Sequence, residues 1–248
     1  MTAALPWLEA DTGFPDPARA LCDPPGLLAL GGDLSPRRLR QAYRQGIFPW
    51  FGEDDPILWW SPDPRCVIMP EQFRPSRSLR QQLRRGGWRL SVDRAFARVI
   101  RACAEPRAYA DGTWISTDII SGYCGLHDQG DAHAIEVWQD NELVGGLYGV
   151  SVGRIFCGES MFSLRTDASK LAFWALMRLG TRWRLPLIDC QLENSHLVSL
   201  GAGLVSRHDY LSCLAGARDL PAPDWTQAED LLAGEGFPVA GSGSGAGS

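Results

Sequence analysis

The stretch ELVGGLYGVSVGRIFCGESMFS, Glu142 to Ser163, decides the fold. It alternates like strand and contains four glycines before Phe156 (Gly145, Gly146, Gly149 and Gly153). Upstream, Ala134-Ile135-Glu136-Val137-Trp138 has the same period of two, and Asp140-Asn141 supplies a tight turn. Together they predict an antiparallel meander with strands from Ala132, from Leu143 to Val152 and from Arg154 to Glu159. After Glu142 its only acid is Glu159, in an apolar setting. A buried, oriented carboxylate beside a cleft and a hairpin with one satisfied glutamate both fit that pattern.

Working outward, helices are expected on either side. Ser35 fits an N-cap with Pro36 in the first turn, and Gly46 closes a helix that ends near Gln45. Ser76 caps a second, with Leu79 and Leu83 inward and Arg77, Arg80 and Arg84 outward. Asp93 starts a third, with Phe96, Val99, Ile100 and Cys103 on one face, and a fourth spans Thr117 to Gln129. Beyond the meander come a helix from Asp167 to about Leu179, a buried strand Leu187 to Gln191, a short helix capped by Asn194, and a helix from Ser206 to Leu214. Strands followed by a helix, a strand and a helix indicate an α+β layer, a mixed sheet covered by helices.

The chain has 248 residues, 45% of them hydrophobic, enough for a packed core. No apolar run approaches the ~20 residues that span a bilayer, and the N-terminus lacks a basic segment followed by an apolar one, so a cytoplasmic protein without membrane attachment is expected. The seven cysteines are scattered and contain no C-x-x-C pair, and the four histidines show no metal spacing. Neither a metal nor a cofactor is expected. A net charge of −5 argues against binding nucleic acid by overall charge. Locally the balance reverses: Gln72 to Val92 holds six arginines and no acid, which fits either a solvated helix face or contact with phosphates.

Candidate chemistry gathers late in the chain. Asp189 and Gln191 lie two apart on a predicted strand, so their side chains should share a face. Either they satisfy each other and nearby backbone, or they form a positioned carboxylate and amide that, with Glu159, resembles an acyl-transfer site lacking a covalent nucleophile. There is no serine-hydrolase elbow or Walker loop. Cys157 and Cys190 have no adjacent His or Lys to activate them.

The strings LLALGGDLSP (27 to 36), GIFPWF (46 to 51), PILWWSPDPR (56 to 65), GTWIS (112 to 116), FCGESMFS (156 to 163) and IDCQ (188 to 191), in this order, resemble the bacterial leucyl/phenylalanyl-tRNA-protein transferase family. The resemblance covers about Leu27 to Tyr210. It implies a small N-terminal domain (1–63) and an acetyltransferase-like (GNAT) domain (64–220); independently, the chain turns Pro-, Ala- and Asp-rich after Gly216 and ends GSGSGAGS, a composition that predicts a disordered tail (221–248). The resemblance also implies transfer of Leu or Phe, weakly Met, from aminoacyl-tRNA to the α-amine of proteins beginning with Arg or Lys, which creates a degradation signal. The enzyme would act as a monomer.

By the same matching, Asp189 polarises the Gln191 amide, whose oxygen takes or orients the proton of the attacking amine, and Glu159 positions the reacting groups. Trp50 and Trp114 would hold the terminal adenosine. Leu147, Phe156, Met161, Phe173, Leu176 and Ile188 would line the aminoacyl pocket, with the glycines of 142–163 letting the aminoacyl group approach the sheet. Arg77, Arg80 and Arg84 would meet tRNA phosphates. Two other readings stand beside this one. A coenzyme A acetyltransferase needs a glycine loop opening a helix, whereas Gly149 to Gly153 lies between strands. A non-enzymatic tRNA-binding module would use only the arginines and tryptophans.

Overall fold

The computed structural model describes residues 5–105 and 115–240. In chain order the elements are β1 (Trp7–Leu8), β2 (Leu27–Gly31), α1 (Pro36–Tyr43), β3 (Phe48–Pro49), β4 (Leu58–Trp60), β5 (Arg65–Ile68), α2 (Arg77–Arg85), β6 (Arg89–Val92), α3 (Phe96–Ala104) and α4 (Thr117–Asp128). Then follow β7 (Ala132–Gln139), β8 (Glu142–Val152), β9 (Ile155–Ser163), α5 (Ala168–Arg182), β10 (Ile188–Gln191), α6 (Ser195–Ser199), β11 (Gly203–Val205), α7 (Arg207–Ala217) and α8 (Ala228–Gly234). The class is α+β, with two mixed sheets.

The small sheet has the order β1-β2-β4-β3 and the large one β11-β5-β10-β9-β8-β7-β6. Within the large sheet the meander β7-β8-β9 is antiparallel, as its alternation and the Asp140-Asn141 turn require, and both turn residues have positive φ. Next to it, β9 and β10 pair in parallel, at Phe156 with Ile188 and Cys157 with Asp189.

Both faces of the large sheet are buried. On one, Phe96, Val99 and Ile100 of α3 and Ile119 and Tyr123 of α4 pack with Tyr148, Val150 and Cys157, and the cluster continues into the small sheet through Leu28 and Trp59. On the other, α5 and α8 cover Val137, Leu147, Phe156 and Ile188. Strands buried on both sides lose their alternation. That is why β5, whose four residues Arg65-Cys66-Val67-Ile68 are all buried, carries no period-two signal.

Three expectations need correction. Asp93 does not cap α3: it sits at φ 60° and its carboxylate accepts from Ala134 N (2.8 Å) and contacts His133 Nδ1 (2.7 Å), while the helix begins at Phe96. Residues 221–240 do not behave as a tail. Trp225 is buried against Trp183, Phe156 and a stacked His133, α8 packs on the core, and Leu90 exchanges backbone bonds with Pro238 and Ala240. Finally, the glycines of the meander serve the fold more than a ligand. A Cβ on Gly145 would meet Ala168 at 2.6 Å, and one on Gly149 would meet the Cys157 carbonyl at 2.2 Å. Only Gly158 of that group lines a cleft.

Candidate active site

The parallel strands β9 and β10 part immediately after Cys157 and Asp189, and each bulges where it leaves the other. Opposite β8, Gly158 pairs with Gly149 and Ser160 with Tyr148, so Glu159 is the extra residue of a bulge. Opposite β5, Asp189 pairs with Val67 and Gln191 with Cys66, so Cys190 is extra. Bulges re-aim side chains and are frequent beside functional sites. Gln191 completes the second at φ 56°, a left-handed conformation that costs a non-glycine residue free energy unless its surroundings hold it.

What holds it is Asp189, whose Oδ1 accepts the Gln191 backbone N–H at 3.0 Å. The expected link between the Asp189 carboxylate and the Gln191 side-chain amide is therefore replaced by a link to the backbone, because the bulge turns the two side chains apart. Instead the Gln191 amide donates from Nε2 to Glu159 Oε1 at 2.7 Å. Tyr123 donates to the other Glu159 oxygen at 3.1 Å, and the Tyr43 and Tyr123 hydroxyls share a further hydrogen bond. Burial raises the Glu159 carboxyl, the tyrosine hydrogen bonds pull it back, and the nearby Asp189 charge raises it again, leaving it at about 7.

Asp189 is fully buried and bound twice to a buried arginine, Arg65 Nε to Oδ1 at 2.8 Å and Nη2 to Oδ2 at 2.6 Å. Tyr210 of α7 donates to Oδ2 at 2.9 Å. The Arg65 guanidinium lies over the rings of Tyr210 (4.4 Å) and Phe48 (4.9 Å) and donates to the Gly46 carbonyl. Burial pulls its pKa down most strongly, but the Asp189 charge, Tyr210 and the hydrogen bonds to Asp189 together outweigh burial and hold it above the ordinary range. Sequence reading missed Arg65, Tyr210, Tyr123 and Tyr43. One signal for Arg65 was present: a carboxylate in an apolar strand needs a buried counter-charge.

Above this network opens a cleft of about 780 Å³. Leu147, Met161, Phe173, Leu176 and Ile188 line it, together with Glu159 and Gln191, while Trp50 stands at its edge, 43% exposed. Phe156 does not line it. That ring is buried against Trp225, because residue 156 precedes the bulge that turns the strand toward the opening. Trp114 lies outside the described residues. Arg77, Arg80 and Arg84 are exposed on α2, outside the cleft, and Arg80 donates twice to the Pro75 carbonyl. Cys157 is buried and its thiol is pushed up by burial, which leaves it a poor nucleophile. Among the described residues no group of His, Cys, Asp and Glu is placed to hold a metal, and no helix is long and apolar enough to cross a membrane.

The arrangement can hold a side-chain amide rigidly beside an apolar cleft, its oxygen uncommitted by the bond to Glu159. Comparison with known proteins identifies the family. The leucyl/phenylalanyl-tRNA protein transferase model matches residues 67–215 and the N-terminal domain model of the same name matches residues 32–63. The leucyl/phenylalanyl-tRNA–protein transferase of Hahella chejuensis is 57% identical over 85% of this chain and 90% of its own length. That of Cellvibrio japonicus is 56% identical over 88% and 93%. Among solved structures, L-PGS from Bacillus licheniformis is similar over 67% of this chain and 53% of its own, with 11% identity and a TM-score of 0.38, too distant to bear on fold or function. With a family model across most of its length and relatives above half identity, the chain belongs to the leucyl/phenylalanyl-tRNA–protein transferases, a family of aminoacyltransferases.

Proposed function

We propose that the enzyme moves leucine or phenylalanine, and methionine weakly, from aminoacyl-tRNA to the N-terminal α-amine of proteins that begin with Arg or Lys, marking them for degradation. The observation that carries this reading is the Gln191 amide held by Glu159 at 2.7 Å on the rim of an apolar cleft. An aminoacyl ester is already activated, so alignment, exclusion of water and one assisted proton transfer suffice. With Nε2 bound to Glu159, Gln191 Oε1 accepts a proton or hydrogen bond from the attacking amine. An α-amine of pKa about 7.7 to 8.0 is partly neutral at pH 7 and needs no strong base.

In this reading Asp189 acts through the backbone of Gln191, fixing the bulge that aims the amide. The amino-acid side chain enters among Leu147, Met161, Phe173, Leu176 and Ile188, with Phe156 packed behind them. Trp50, and Trp114 beyond the described residues, stack on the terminal adenosine, and Arg77, Arg80 and Arg84 contact tRNA phosphates. The parallel pairing of β9 with β10 inside the large sheet supports an acetyltransferase-like catalytic domain from residue 64 on, preceded by the small-sheet domain. The enzyme works in the cytoplasm as a monomer. Incubation with labelled leucyl-tRNA and an Arg-ended peptide tests the proposal: label should appear on the peptide, and its absence with folded protein refutes it.

A further inference from the structure

A second concavity, of about 660 Å³, lies at the N-terminal end of α3 and plays no part in the chemistry above. Its walls include Arg89, Arg94, Arg98, Trp138 and Phe96. Trp138 is a fixed platform. Its Nε1 donates to Ser91 Oγ at 2.7 Å, and Ser91 in turn donates to the fully buried Glu136. Over that ring sits the Arg98 guanidinium, 5.1 Å from the centroid.

The cations around this platform differ in how they are used. Arg94 is engaged by Glu229. Arg89, Arg98 and Arg101 are exposed and form no ion pair among the described residues; Arg89 reaches Asn141 Oδ1 and Arg101 the Ala97 carbonyl. Asp93, which also lines this concavity, is occupied by Ala134 N and His133.

Arg98 and Arg101 are three apart and so share one face of α3. The helix links the two cavities. Phe96 and Arg98 line the arginine-rich one, while Cys103 and the adjoining Glu105 line the large cleft. Nine residues at ~1.5 Å each span ~13 Å, about four stacked nucleotides at ~3.4 Å.

We infer that Arg89, Arg98 and Arg101, with Trp138, form a track for the acceptor strand of the donor tRNA, leading its end along α3 into the cleft. The inference rests on the transfer reaction proposed above and adds to the α2 arginines a second contact region across β6. Arginine suits it because its planar fork binds phosphate oxygens and also stacks on an aromatic ring. Exposed guanidiniums without ion pairs among the described residues, Arg89 and Arg98 beside a rigid indole and Arg101 one turn further along α3, match a strand of alternating phosphate and base.

The test compares two donors, leucyl-tRNA and a minimal leucyl-adenosine, in wild type and in the Arg89→Ala/Arg98→Ala/Arg101→Ala variant. All three side chains are exposed, so folding should survive, and circular dichroism checks it. KM for leucyl-tRNA should rise about tenfold or more with kcat within twofold. The slope of log affinity against log salt should fall by about two to three. Transfer from leucyl-adenosine should not change. Unaltered tRNA affinity and salt slope overturn the track, as does equal loss with both donors. A wild type inactive with both donors overturns the transfer reaction itself.

Discussion

Gln191 Nε2 lies 2.7 Å from Glu159 Oε1, although the two residues stand on different strands and each sits at a bulge. The bulges are what bring them together. In regular parallel strands their side chains would follow the alternation of Phe156 with Ile188 and Cys157 with Asp189. The contact also ties amide geometry to protonation: ionised Glu159 accepts from the Gln191 NH2 group, while a neutral carboxyl carries a proton that competes for the amide oxygen.

Transfer should therefore depend on Glu159 ionisation. The group titrates at about 7 in the folded protein, against an ordinary 4.5, so kcat/KM should fall as pH drops through 7. The acceptor amine contributes its own decline. Glu159→Gln separates the two: it should lower kcat by about 10- to 100-fold, within the range typical of acid–base and positioning groups, and leave only the amine's titration in the profile. An unchanged limb near pH 7 in this variant would assign that titration elsewhere.

The Arg65–Asp189 pair should behave as a buried ion pair. Removing one partner strands a charge at a site less than 2% exposed, so Asp189→Asn and Arg65→Met should each destabilise by about 3–5 kcal/mol. Asp189→Asn should also loosen the Gln191 bulge and lower kcat. Arg65→Met/Asp189→Leu should recover part of the stability and none of the activity. Urea unfolding of wild type, Arg65→Met, Asp189→Leu and the double variant closes the cycle that measures the coupling, and additive losses would show that the pair is not coupled.

Pocket volume should set the choice between donor amino acids. Met161 lines the cleft and is only part-buried, so Met161→Phe can be accommodated at the mouth while narrowing it. Small differences in apolar fit discriminate by about 1–3 kcal/mol. The substitution should therefore reduce transfer of phenylalanine at least tenfold more than that of leucine, read as the ratio of kcat/KM values. Equal losses would place the amino-acid side chain elsewhere.

The sequence carried the meander, the helices over 36–43, 77–85 and 117–128, and the trio Glu159, Asp189 and Gln191, because alternation, capping serines and misplaced polar residues are local signals. Partnership within the trio was hidden. Nothing local marks a bulge at Glu159 or Cys190, and the expectation that Asp189 and Gln191 share a face failed at Gln191. Arg65 was read only as the end of an aromatic string, since its counter-ion lies 124 residues away. A short strand with both faces buried, such as β5, lacks a readable period.

Residues 221–240 are the clearest case in which composition misled. Proline and alanine imitate a linker, yet Trp225 is only 8% exposed, hydrogen-bonds Ser151 Oγ at 3.0 Å and packs against Phe156, directly behind the cleft wall formed by Ile188 and Leu147. Trp225→Ala should cost about 3–5 kcal/mol through the cavity it leaves. Because Phe156 pairs with Ile188 across the sheet, the loss should reach the site: KM for leucyl-tRNA should rise while the pH dependence from Glu159 stays in place. Trp225→Phe, keeping most of the volume and losing the hydrogen bond, should cost about 1–2 kcal/mol and leave KM near wild type. If both variants unfold at the wild-type urea midpoint, the segment contributes nothing to the core and its packing on Phe156 has no bearing on the cleft.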